Sequence, residues 1–133
     1  MATQKSFLKS HCELTNFIFG RIVSALNRKV LTIYKVRRLA PPENRREPLY
    51  GYLDPIDGYK LFEIYISAQK SLKIDRDEMG KTILHEALHI IFESSPELVI
   101  RRMEDLLWNE MSGDQKKMIK SYIPKNFSKV KPE

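Results

Sequence analysis

His85, Glu86 and His89 stand in one largely apolar run, Thr82-Ile83-Leu84-His85-Glu86-Ala87-Leu88-His89-Ile90-Ile91-Phe92-Glu93. Residues four apart lie on one face of an α-helix, about 40° apart around its axis. The two imidazoles can therefore aim at one point. Two neutral imidazoles that converge suit a zinc ion, with Zn–N bonds of about 2.0–2.1 Å. Glu86 follows the first histidine, so it projects beside the ligand face, within reach of a zinc-held water but outside the coordination sphere. Zinc brings the pKa of such a water to about 7, and a carboxylate then suffices to take its proton.

The same spacing also arises by chance on ordinary helices. Its surroundings here argue for more. Leu84, Leu88, Ile91 and Phe92, widened by Ile83, Ala87 and Ile90, give the helix a buried side. Two histidines and a glutamate among apolar residues need partners, because burying them unpaired is costly. A metal is such a partner.

The elements that must position these residues are legible from pattern. A first helix is predicted from about Ser6 to Arg28, with Leu8, Cys12, Thr15, Phe19, Ile22 and Leu26 on one stripe. His11 lies near that stripe, as a core or boundary residue or, less simply, a zinc ligand. Val30–Val36 is rich in β-branched and aromatic residues and reads as a strand. Arg37–Pro48 is a basic loop interrupted by Pro41-Pro42. Leu49–Leu53 is a short second strand, Asp54–Gly58 a hairpin turn, and Leu61–Ser67 a third strand whose Phe62, Ile64 and Ile66 face the core. The histidine helix starts near Asp75 or Asp77, where acidic groups suit the N-terminal dipole, and runs to about Glu93. Ser95 reads as the N-cap of a further helix with Pro96 in its first position. That helix reaches Met111, with Val99, Met103, Leu106 and Leu107 as its packing stripe and Ile100 and Trp108 at the edge. Ser112-Gly113-Asp114 caps a last short helix, Gln115–Tyr122. The prediction is one α+β domain over residues 1–133: an N-terminal helix, a small three-stranded sheet, and the histidine helix packed on its successor. The tail from about residue 124 is expected to be loose.

A catalytic zinc takes three protein ligands and a water. The short turn after the histidine helix makes the next helix an antiparallel neighbour. Glu97 and Glu104, seven residues apart, share a face of it. Glu97 lies near the turn and Glu104 deeper, level with the middle of the histidine helix in a simple hairpin. That geometry slightly favours Glu104.

The chain of 133 residues is the size of one domain, and 42% hydrophobic residues suffice for one core. The single cysteine, Cys12, excludes an internal disulfide and reads as a small buried hydrophobe. No apolar run approaches the ~20 residues of a membrane span, and no signal peptide is visible, so no membrane association and a cytoplasmic location are expected. The formal charge is +6. Attraction to nucleic acid or an acidic partner is open on charge alone, with no nucleic-acid motif behind it.

The segment from Tyr65 to Met111 resembles the compact zincin-like metallopeptidases of phage and bacterial genomes, relatives of the ImmA/IrrE group. Strand residues Ile64-Tyr65-Ile66, then Thr82–His89, then Glu97-x-x-Ile100-x-x-Met103-x-x-x-Leu107-Trp108 carry the resemblance. It implies a zincin-like fold, a zinc cofactor, and the glutamate opening the second helix as third ligand, which maps onto Glu97. Glu104 then becomes the alternative ligand, or a hydrogen-bond partner that fixes the tautomer of a ligand imidazole; Asp105 is the other candidate for that role. The expected activity is peptide hydrolysis with Glu86 as general base. A protein or peptide would be the substrate, and the resemblance suggests a regulatory protein. A donor to the developing oxyanion is expected, with Tyr122, Tyr50, Tyr52 and Tyr59 as candidates and a packing role the simpler reading of each. The alternative function is a catalytically silent zinc module that binds a protein or nucleic-acid partner. A closed structural zinc site is disfavoured, since no fourth protein ligand is in evidence.

Overall fold

A computed structural model describes residues 10–27, 31–37, 51–56, 61–68 and 74–127. In chain order the elements are α1 (Glu13–Leu26), β1 (Leu31–Val36), β2 (Gly51–Ile56), β3 (Leu61–Ser67), α2 (Arg76–Ile91), α3 (Glu97–Glu110) and α4 (Gly113–Lys120). The fold is α+β. The sheet has the order β1-β3-β2, with β1 parallel and β2 antiparallel to β3.

The centre of the molecule is α2, which touches α1, β2, β3, α3 and α4. Its start is fixed by Asp75, whose side chain accepts from the Glu78 amide at 2.8 Å, and Asp77 and Glu78 sit in the positive first turn. Ile83, Leu84, Ala87 and Leu88 are fully buried. They pack with Ile22 of α1, Ile64 and Ile66 of β3, Ile100 of α3 and Ile119 of α4 in one core. Burial of this order drives the fold, at about 25 cal/mol per Å² of apolar surface removed from water. A second, smaller cluster on the far side of the sheet stacks Tyr34 on Tyr65, rings 5.1 Å apart, and both hydroxyls donate to Glu63.

Several expectations are corrected. β2 continues through Asp54-Pro55-Ile56, which pattern reading made a turn. Proline lacks an N–H, and β2 can hold one because it lies at the sheet edge. β3 is the central strand, and β1 and β2 are the two edges. The remainder of the hairpin, Asp57-Gly58, lies outside the described residues, as do Leu8 and the Arg38–Pro48 part of the basic loop. Cys12 is the half-buried N-cap of α1 and not a core residue. Pro96, not Ser95, is the N-cap of α3, so Glu97 opens that helix. The stripe of α3 is rotated from its expected position: Ile100, Leu107 and Trp108 are buried, while Val99 is 42% and Leu106 67% exposed. Ser112 caps α4 in a capping box with Gln115, as expected, but the helix itself starts at Gly113, two residues ahead of the expected Gln115. Of the tail, the described residues reach Phe127, which forms a parallel bridge with Lys35 of β1.

Two glycines set the close approaches around α2. A Cβ at Gly80 would lie 2.9 Å from Lys120 Cγ and 3.0 Å from Trp108 Cη2, so α3 and α4 can close on α2 only over bare backbone. A Cβ at Gly51 would collide with Thr82 Cγ2 and come within 3.1 Å of Glu86 Oε2. Gly51→Ala is therefore expected to destabilise the protein by about 1–3 kcal/mol through overpacking. Thr82→Ser removes the opposing methyl. Urea unfolding of the two single variants and the double variant checks this: the double should recover most of the loss, and strictly additive effects would contradict the contact.

Candidate metal centre

The imidazoles of His85 and His89 leave α2 on one side, 4.9 Å apart between ring centres and nearly perpendicular. Their Nε2 atoms are 3.2 Å apart. Glu97, at the first position of α3, reaches back over the turn. Its Oε1 lies 3.0 Å from His85 Nε2 and 2.8 Å from His89 Nε2. These three donors lie within 4.8 Å of one another and could hold a metal ion. A tetrahedral zinc with bonds near 2.0–2.1 Å separates neighbouring ligand atoms by about 3.3 Å. The observed separations of 2.8, 3.0 and 3.2 Å fall just inside that figure. Two ring nitrogens and a carboxylate oxygen this close cannot all present lone pairs to one another. A positive species, protons or a cation, must lie between them.

Each donor is steered from behind. His85 Nδ1 lies 2.7 Å from Glu104 Oε1. A proton on Nδ1 donated to that carboxylate leaves the Nε2 lone pair facing the cluster. Although burial alone would lower the His85 pKa, the bond to Glu104 and the charges of Glu86, Glu97 and Glu104 outweigh it and hold the pKa above its ordinary value. Glu97 is half exposed. Burial pushes its pKa up, but the charge of His85 and hydrogen bonds from His89, Arg101 and His85 win, and it lies below the usual carboxylate range. Arg101, one turn on, donates through Nε to Glu97 Oε2 at 3.2 Å, which occupies the oxygen that does not face the imidazoles.

Glu86 differs from both. It is 7% exposed, and among the described residues it has no hydrogen-bond donor. Burial raises its pKa most; His85 pulls it down while Glu97 and Glu104 push it up, leaving a value of about 7. A carboxyl group at that value takes and returns protons near neutrality.

Of the residues singled out from sequence, His85, His89 and Glu97 come together, Glu86 lies beside them, and Glu104 stands behind His85 and outside the donor triangle. Glu104 sits two turns into α3, where it meets the outer nitrogen of His85, whereas Glu97 at the helix start lies over both inner nitrogens. The simple-hairpin reading that favoured Glu104 thus placed the contact level two turns too deep. Asp105 is exposed and His11 lies exposed ahead of α1, so neither joins the cluster. The Tyr122 hydroxyl is engaged by Asn27 Oδ1 at 2.5 Å. Tyr50 and Tyr59 lie outside the described residues, and Tyr52 is described only as a position in β2. Sequence reading missed Arg101, although its i,i+4 spacing from Glu97 was visible, and Gly51, whose role depends on a tertiary approach.

No protein-family model matches the chain, and no curated protein or solved structure matches it either. Function therefore has to be read from the site itself.

Two outcomes are expected. Glu104→Gln should weaken binding of a divalent transition metal about 10–100-fold, measured by competition with a chromophoric chelator; unchanged affinity would remove Glu104 from the site. The second concerns the metal-stripped protein. Raising the Glu86 pKa from 4.5 to about 7 means that ionising it costs folding energy. Its contribution is intact below pH 4.5 and is lost as pH rises through about 7. Glu86→Gln should therefore stabilise the stripped protein by roughly 1–3 kcal/mol at pH 8 and by much less at pH 5. Thermal melting at the two pH values reads this directly, and equal effects at both would contradict it.

Proposed function

We propose that the protein is a zinc-dependent metallopeptidase with a zincin-like fold, in which His85, His89 and Glu97 hold the metal and Glu86 is the general base. The observation that carries this reading is the pairing of a converged His-His-Glu donor set with an adjacent buried carboxyl group that does not join it. A structural zinc is closed by four protein ligands, and among the described residues the donor set stops at three. Zinc is favoured over harder cations because two imidazoles and one carboxylate match its common ligand set. Zinc bound there supplies a Lewis acid for the scissile carbonyl and lowers the pKa of a water to about 7.

The chain's own groups account for the rest. Glu86 takes the proton of the attacking water and passes it to the departing amine. Glu104 keeps His85 in the tautomer that frees Nε2. Arg101 restrains Glu97. The substrate is a protein or peptide in extended form. Among the described residues nothing pairs with the outer side of β2, and that edge passes Glu86 at Gly51. Added there as a further strand, a peptide would be held by main-chain hydrogen bonds beside the reacting groups.

The test uses Glu86→Gln, which preserves shape and removes the base. It should retain one equivalent of zinc and lose cleavage of a degenerate peptide library by at least about 100-fold, read by mass spectrometry of the products. Turnover retained in that variant would refute the assignment of Glu86.

A further inference from the structure

At the sheet edge opposite β2, two cations share one aromatic ring. Lys35, on β1, and Arg37, just beyond it, lie over Phe127, with Nζ 4.8 Å and Cζ 4.3 Å from the ring centre. Phe127 is held there by its parallel bridge to Lys35, and the Lys35 ammonium also donates to the Lys125 carbonyl at 3.1 Å. Phe127 is 39% exposed and Arg37 is exposed. None of the ion pairs among the described residues involves Lys35, Arg37 or Lys125. Cation–π attraction brings two like charges together here, with no carboxylate paired to either among the described residues. Exposed Lys125 adds a third cation beside them, and the described residues that meet here, 31–37 and 124–127, include no acidic residue.

We propose that this edge binds the phosphate backbone of nucleic acid. A duplex carries one negative charge per ~1.7 Å of its axis, and that dense charge matches closely spaced cations better than the scattered carboxylates of a polypeptide do. Arg37 brings a planar fork that fits phosphate oxygens, and Phe127 keeps it beside Lys35. The site lies across the sheet from β2 and the metal centre, so it is independent of the peptidase reading, and its test involves no cleavage.

The experiment is fluorescence anisotropy of the full chain with a labelled 20-base-pair DNA duplex, from 50 to 200 mM salt. Wild type should bind with a steep salt dependence. Lys35→Gln with Arg37→Gln should weaken binding at least about 10-fold and flatten the log–log slope by about 1.8, the loss of two phosphate contacts. Arg102→Gln with Lys117→Gln removes the same charge from exposed positions on α3 and α4 and should change affinity less than about 2-fold, which separates a site from general charge attraction. Arg37→Gln alone, outside the strand, carries the test if the double variant melts early, with a slope change of about 0.9. Equal weakening by both pairs, absence of salt-dependent binding by wild type, or displacement of the duplex by polyglutamate at matched charge would each overturn the proposal.

Discussion

A single oxygen atom, Glu97 Oε1, faces both inner imidazole nitrogens of α2, and the placement of α3 follows from it. To bring Glu97 over His89 and Glu104 behind His85, α3 must turn that face toward α2. Ile100, Leu107 and Trp108 lie on the same side and enter the core, while Val99 and Leu106 are left facing water. The polar cluster and the apolar contact are thus one helix rotation. Gly80 on α2 removes the obstacle to it, because any side chain there would press on Trp108 and Lys120.

Three glutamates stand around the same pair of histidines in three different surroundings, set by burial and by the donors they meet. Glu97 sits at the rim with three donors around it and favours its charged form. Glu104 is joined to the far nitrogen of His85 at 2.7 Å. Glu86, buried without a donor among the described residues, is pushed to a pKa of about 7. In the proposed enzyme, ligand, orienting group and proton carrier would be the same chemical group in different surroundings. The helix that carries His85, Glu86 and His89 also packs against the three other helices and against β2 and β3, so the site is built on the most buried element of the fold, which gives its side chains fixed positions.

Much of this was legible in the chain. The i,i+4 histidines and the apolar run around them fix α2 and its ligand face, because helix periodicity is a local property. The alternation in Leu61–Ser67 gave that strand its bounds, and the acidic residues Asp75 and Asp77 marked the region where α2 starts, with Asp75 as its cap. What was not legible depends on neighbours in space. Val99 and Leu106 look like core residues on hydropathy, yet α3 turns them outward. Asp54-Pro55 looks like a turn, yet an edge strand accommodates proline. Glu97 and Glu104 share a face, and only the tight turn at Pro96 decides which one meets the inner nitrogens. Gly51 carries no pattern that announces the approach of Thr82 and Glu86.

The central claim is that two imidazoles and one carboxylate hold one zinc ion with a position left for solvent. X-ray absorption at the zinc edge, on protein loaded with one equivalent, measures it most directly. The spectrum should show four nitrogen or oxygen neighbours at about 2.0–2.1 Å, two imidazole outer-shell patterns and no sulfur. One imidazole pattern, a sulfur neighbour, or zinc that washes off at neutral pH would contradict it.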